Sequence, residues 1–179
     1  LGWLACSYRE DRFDLARLRA QEAVAIARET GDLQTIMDAL HRLGDTAFSL
    51  DDMDTAQTCY EEALALDRQL GDQANIAYML YALGHIAMRR SDLPLARSRY
   101  EQALAIWDEL GDQMGLSWAF GVLAYLLRLE GDYSQARALS EQALALNRRL
   151  DRKGGISHQL ENLGRLELRE GKLDTAEEV

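Results

Sequence analysis

Between residues 31 and 70 the apolar positions fall into two series. Leu40, Leu43, Ala47 and Leu50 form the first, and Ala56, Ala63, Leu64 and Leu66 the second. Steps of three, four and seven place such residues on one face of an α-helix. The stretch therefore predicts two amphipathic helices, the second over Thr55 to Leu70. The pattern restarts at Gly71 and again at Gly111, a period of 40 residues without a slip. Alanine recurs at Ala16, Ala56, Ala96, Ala136 and Ala176, and at Ala23, Ala63, Ala103 and Ala143. Two aliphatic columns follow, Val24, Leu64, Leu104 and Leu144, then Ile26, Leu66, Ile106 and Leu146. In the first helix of each copy Gly44, Gly84, Ala124 and Gly164 share a column, where a residue without bulk lets two helices approach closely. No segment alternates with period two, so no sheet is expected. Each copy reads as a helical hairpin, and a fixed period of this length marks an all-α array of such units. The predicted organisation is a single array over 1–179, with repeats 31–70, 71–110 and 111–150 between partial repeats 1–30 and 151–179.

The punctuation agrees with the helices. Gly31, Gly71 and Gly111 follow the last apolar residue of a helix, where a left-handed closing residue is expected. Asp32, Asp72 and Asp112 come next and suit the cap of the following helix. The turn inside each hairpin falls at Asp51-Asp52, Ser91-Asp92, Gly131-Asp132 and Gly171-Lys172. Pro94, the single proline, stands in a first helical turn, where a missing N–H does little harm. The junction Asp151-Arg152-Lys153-Gly154-Gly155 breaks the pattern. It places two glycines where a helix should start, which reads as an irregular turn before it reads as a hinge.

Leu1-Gly2 aligns with Leu43-Gly44, and Glu177-Glu178-Val179 with Arg137-Ala138-Leu139. The chain thus starts and stops inside helices, as a fragment of a longer array would. Uncapped ends of such an array expose apolar faces, so self-association through them is expected.

Leu83, Gly84, Ala87, Ala96, Tyr100, Glu101, Ala103 and Leu104 carry a spacing that resembles the tetratricopeptide repeat. The usual unit of that family has about 34 residues. The 40-residue form with its Leu-Gly-Asp junction is similar to the arrays of bacterial signalling ATPases and transcription regulators, and to those of spindle-orientation scaffolds. The resemblance implies a right-handed α-solenoid of antiparallel helical hairpins, with the first helix of each hairpin lining a concave groove.

Composition narrows the function. A net charge of -10 argues against binding of a nucleic acid backbone, which needs a basic stripe, and against an anionic membrane surface. There is no apolar run of membrane length and no signal-peptide pattern. Cys6 and Cys59 lack metal spacing and have no reason to pair, so a reducing cytoplasm is expected. The sequence has no phosphate loop, no His-Glu-x-x-His and no Gly-x-Ser-x-Gly, and the expectation is a protein without catalytic residues or cofactor. His41 and His85 could approach on adjacent helices, but two groove histidines are more often hydrogen-bonding contacts than metal ligands. Asp51, Asp52 and Asp54 suit turn and cap positions better than a calcium loop.

Function then falls to the columns that vary. On the groove side the resemblance places Asp38, His41, Asp45 and Phe48, then Tyr78, Tyr81, His85, Met88 and Arg89. It next places Trp118, Gly121, Tyr125 and Arg128, then His158, Glu161, Arg165 and Arg169, with Trp3 in the first partial repeat. Aromatic, histidine and arginine side chains of this kind are enriched at binding hot spots. Tyr78 and Trp118 are equally suited to packing between neighbouring first helices, whereas Tyr81, His85 and Tyr125 favour the groove. Trp107 shares a column with Ala27, Asp67 and Asn147 and is expected to be exposed on a second helix. The chaperone-binding clamp of the family is absent, since its lysine and asparagine positions hold His41, Asp45, His85 and Tyr78. Two functional readings follow. One is a scaffold that holds a peptide or helix of a protein partner in the groove, with Arg128 and Arg165 taking its acidic groups. The alternative is a sensor domain that binds a sugar or short peptide inducer. The scaffold reading is preferred as the commoner use of the fold.

Overall fold

The computed structural model describes residues 2–169, with side chains from 15 to 168. These residues form eight α-helices and no strand: α1 (Gly2–Thr30), α2 (Leu33–Ser49), α3 (Met53–Leu70), α4 (Gln73–Arg89), α5 (Leu93–Leu110), α6 (Gln113–Glu130), α7 (Tyr133–Arg149) and α8 (Lys153–Arg169). They sort into two compact units, residues 1–90 with α1 to α4 and residues 91–179 with α5 to α8. Inside each unit, consecutive helices pack against one another. The expectations that fall on 170–179, and on the side chains of Trp3, Cys6 and Arg169, lie outside the described residues.

One two-residue device joins all the helices from α1 to α8. Its first residue is left-handed: Gly31, Asp51, Gly71, Ser91, Gly111, Gly131 and Asp151 have φ between 51° and 87°. At most junctions the next N–H donates back to the carbonyl five residues earlier, as from Asp72 to Asp67 (3.0 Å) and from Asp112 to Trp107 (2.9 Å). The side chain of that same residue then opens the next helix. Asp32, Asp52, Asp72, Asp92, Asp112 and Asp132 each accept a backbone N–H of the new first turn at 2.9 to 3.1 Å. Hydrogen bonds from Thr35 and Thr55 lower the Asp32 and Asp52 pKa values. Pro94 sits in the first turn of α5.

The alanine columns are the floor of the packing. Ala56, Ala96 and Ala136, and Ala63, Ala103 and Ala143, are fully buried. The first repeat column is less closed, with Ala16, Ala23 and Ile26 exposed on α1 while Val24 and Ala27 are buried. The small-residue column does its work at Gly44, where a Cβ would lie 2.5 Å from the Tyr60 ring. At Gly164 a Cβ would meet nothing within 4 Å.

The irregular fourth junction has a packing explanation. Arg152 replaces the capping aspartate, and its guanidinium instead lies 5.3 Å from the centre of the Trp118 ring. Gly155 faces Asn147, whose Oδ1 would stand 2.1 Å from an added Cβ. The chain keeps its usual turn here, with Asp151 left-handed and the Arg152 N–H bonded to the Asn147 carbonyl at 2.9 Å.

Candidate functional site

In the first unit, α2 and α4 bring their variable side chains to one cavity of about 200 Å³, lined by Asp45, Phe48, Tyr60, Tyr78, Tyr81, Ala82 and His85. The spacing explains the convergence. Tyr78, Tyr81, Ala82 and His85 follow one another by short helical steps along α4, as Asp45 and Phe48 do along α2. Tyr60 comes from α3 and is buried, so that only its tip serves the site. Its hydroxyl donates to Asp45 Oδ1 at 2.8 Å. The Tyr78 hydroxyl bonds the same carboxylate, and burial followed by the Asp45 charge raises the Tyr78 pKa. Burial and the bond to Asp45 push the Tyr60 pKa up as well. The Tyr81 and His85 rings meet edge-on with centroids 4.5 Å apart, and Phe48 stands 6.3 Å from His85. Burial lowers the His85 pKa to about 4, so the imidazole is neutral at pH 7. Asp45 is then the one lining group that carries charge.

The remaining predicted residues of this unit lie around the cavity rather than in it. His41 is mostly covered, its ring 6.4 Å from Tyr78 and its Nε2 3.4 Å from Oδ2 of the fully buried Asp67. Burial pushes the Asp67 carboxyl above its ordinary value, against the opposing pull of His41. His41 and His85 thus serve different neighbours, and no group of three or more potential metal ligands exists among the described residues. Asp38 is exposed on α2. Arg89 is exposed and ion-paired with Asp51.

In the second unit the predicted residues lie on α6 and α8. Trp118 is half-buried, packed edge-on against Trp107 at 6.0 Å and covered by Arg152. Tyr125 is exposed, with the Arg128 guanidinium 5.0 Å from its ring centre. Glu161 and Arg165 pair with each other at 2.6 Å on an exposed face of α8. His158 is exposed beside Gln159 and Asn162. Gly121 faces Gln159 of α8, where a Cβ would stand 2.7 Å from Nε2.

Trp107 corrects the expectation of an exposed side chain: it is 2% exposed. Gly115 makes room for it, since a Cβ there would lie 2.2 Å from the indole. The other members of its column, Ala27, Asp67 and Asn147, are buried too. Variation there reflects different solutions to one packing contact. Tyr60 and Asp67 are not among the residues that sequence reasoning assigns to the site. Tyr60 sits in a packing column, and only the Asp45 carboxyl on the facing helix could have pointed to its hydroxyl.

Two models of the tetratricopeptide repeat match the chain, one over residues 38–70 and the other over 72–149. The chain belongs to the tetratricopeptide repeat family. Repeats of this family generally mediate protein–protein interaction, and the fold is typically a non-catalytic scaffold. Among solved structures the chain is similar to BtubC (BKLC) from P. vanneervenii, with a TM-score of 0.80 and 23% identity over 95% of this chain and 71% of that one. It is also similar to a putative kinesin light chain from Podosopora anserina with nearly identical TPR-like repeats. That match has a TM-score of 0.71 and 18% identity over 98% of this chain and 87% of that one; a substituted form of the same protein gives 0.73 and 19%. At such identities the likeness concerns the fold, and it supports the expected solenoid of hairpins. No curated protein matches the chain. No helix among the described residues is long and apolar enough to cross a membrane.

Proposed function

We propose that this tetratricopeptide array is a non-catalytic scaffold in which the first helices of the hairpins hold a peptide or helix of a protein partner. In this reading it serves as a regulatory or signalling module of a larger cytoplasmic protein. The observation that carries it is the cavity between α2 and α4. Four aromatic rings and one imidazole surround a single carboxylate there, mostly at positions the packing of the repeats leaves variable. Rigid aromatic side chains with polar tips are the usual anchors of a protein interface. In the second unit the exposed Tyr125, with the half-buried Arg128 beside it, and Arg165 offer further contacts on α6 and α8.

The inducer-sensing alternative would place a small ligand in the same cavity. The test is affinity capture from a lysate of the source cell, comparing wild type with Tyr81→Ala and Tyr125→Ala, singly and together. A protein held by wild type and lost with the tyrosines is the expected result. Dependence of a small molecule alone on those tyrosines would transfer the reading to inducer sensing.

A further inference from the structure

We infer that the α2/α4 cavity receives a basic side chain of the partner, arginine before lysine, with Asp45 as its counter-ion and the surrounding rings as its walls. This inference rests on the scaffold reading above and names the chemistry of the partner.

The charge balance of the cavity points one way. Asp45 is the only acidic residue among its lining, and no lysine or arginine lines it. Arg89, one turn beyond His85 on α4, is engaged by Asp51. The carboxylate is held in place by the hydroxyls of Tyr60 (2.8 Å) and Tyr78. A carboxylate offers about four acceptor positions, so two donors leave room for a guanidinium or ammonium. An anion there would face a fixed negative charge, with no lysine or arginine in the lining to offset it. Asp45 is solvent-exposed in this structure, and an apolar side chain seated over it would strip water from the carboxylate without replacing it.

The walls favour a cation as well. The rings of Phe48, Tyr78 and Tyr81 line the cavity, and an aromatic face carries the negative end of a quadrupole that attracts a cation within about 6 Å. A planar guanidinium stacks on such faces while its N–H groups fork onto a carboxylate, which an ammonium cannot do as well. A cavity of about 200 Å³ has room for one long side chain. Burial keeps His85 neutral well below pH 7, so the imidazole adds no repulsion. The net charge of -10 draws a basic segment in at long range.

The test is selection of binders from a random displayed peptide library on immobilised protein, wild type beside Asp45→Asn and Tyr81→Leu. The selected peptides are then titrated against each protein. The asparagine keeps an oxygen for the Tyr60 hydroxyl, and circular dichroism confirms that both variants fold. The expected result is enrichment of arginine or lysine at one peptide position. Affinity should fall about tenfold in Asp45→Asn, the order of one charge-assisted hydrogen bond, and severalfold in Tyr81→Leu. Affinity for wild type should also weaken as salt rises. Binders that respond to Tyr81→Leu but show no basic enrichment, or ignore Asp45→Asn, would overturn the inference and leave the scaffold reading standing. Binders indifferent to both substitutions would remove both.

Discussion

The indole of Trp107 occupies the space where a side chain on Gly115 would begin, 2.2 Å from an added Cβ. A large residue near the end of α5 and the smallest one near the start of α6 solve a single contact between them. In the next copy Asn147 and Gly155 solve it with a smaller pair.

Gly115→Ala should therefore destabilise the protein by about 1–3 kcal/mol, although alanine is the better helix former. In a Trp107→Ala background the same change should be neutral or stabilising by up to about 1 kcal/mol. Urea unfolding of the four proteins of this cycle gives the coupling directly. Equal effects of Gly115→Ala in both backgrounds would contradict the account.

Two glycines of one column should respond in opposite directions. Gly44→Ala drives a Cβ into the Tyr60 ring, which Asp45 holds by its hydroxyl, and should cost about 1–3 kcal/mol. Gly164→Ala meets no neighbour and should gain about 0.5–1 kcal/mol from helix propensity. Thermal melting of the two variants separates a packing requirement from a repeat inherited without one.

Much of this organisation is legible in the sequence because it repeats. The columns of Ala56 and Ala63 reveal the helices, and the Gly-Asp junctions reveal where they end. Trp107 misleads because a column comparison shows only variety there. The compensating glycine stands eight residues later, in the next helix, and contacts of that kind are visible only in three dimensions. Asp45, Tyr81 and His85 can be placed on the variable face by helical spacing. Tyr60 cannot, since its ring belongs to the packing and only its hydroxyl to the site. Nor does spacing tell which half-exposed aromatics pack together, as Trp118 does with Trp107.

Ser91 is one of three non-glycine residues in the left-handed conformation among the described residues, with φ of 63°. Ser91→Gly relieves a local cost of about 1 kcal/mol, part of which returns as added freedom of the unfolded chain. A net gain of about 0.5 kcal/mol in urea unfolding is expected. The reverse change at a junction glycine, Gly71→Ser (φ 73°), should lose a similar amount.

His85 should make stability depend on pH. The unfolded chain binds its proton near pH 6.5, whereas the folded chain resists it until about pH 4. The unfolded state binds more protons in that window, so this contribution is complete above pH 6.5 and is lost as pH falls toward 4. The full loss amounts to roughly 3 kcal/mol. Asp45, Tyr60, Tyr78 and Tyr81 line the cavity together with the imidazole. The informative quantity is therefore the difference between wild type and His85→Gln, whose stability should fall less steeply from pH 6.5 to 4. Parallel profiles would contradict the buried neutral imidazole.

The central claim is that α2 and α4 form the docking surface of the first unit. Hydrogen exchange followed by mass spectrometry, with and without a captured partner segment, tests it most directly. The account predicts slowed exchange in α2 around residues 41–48 and in α4 around residues 78–85. Slowing confined to α3, α5 and α7, with α2 and α4 unchanged, would contradict it.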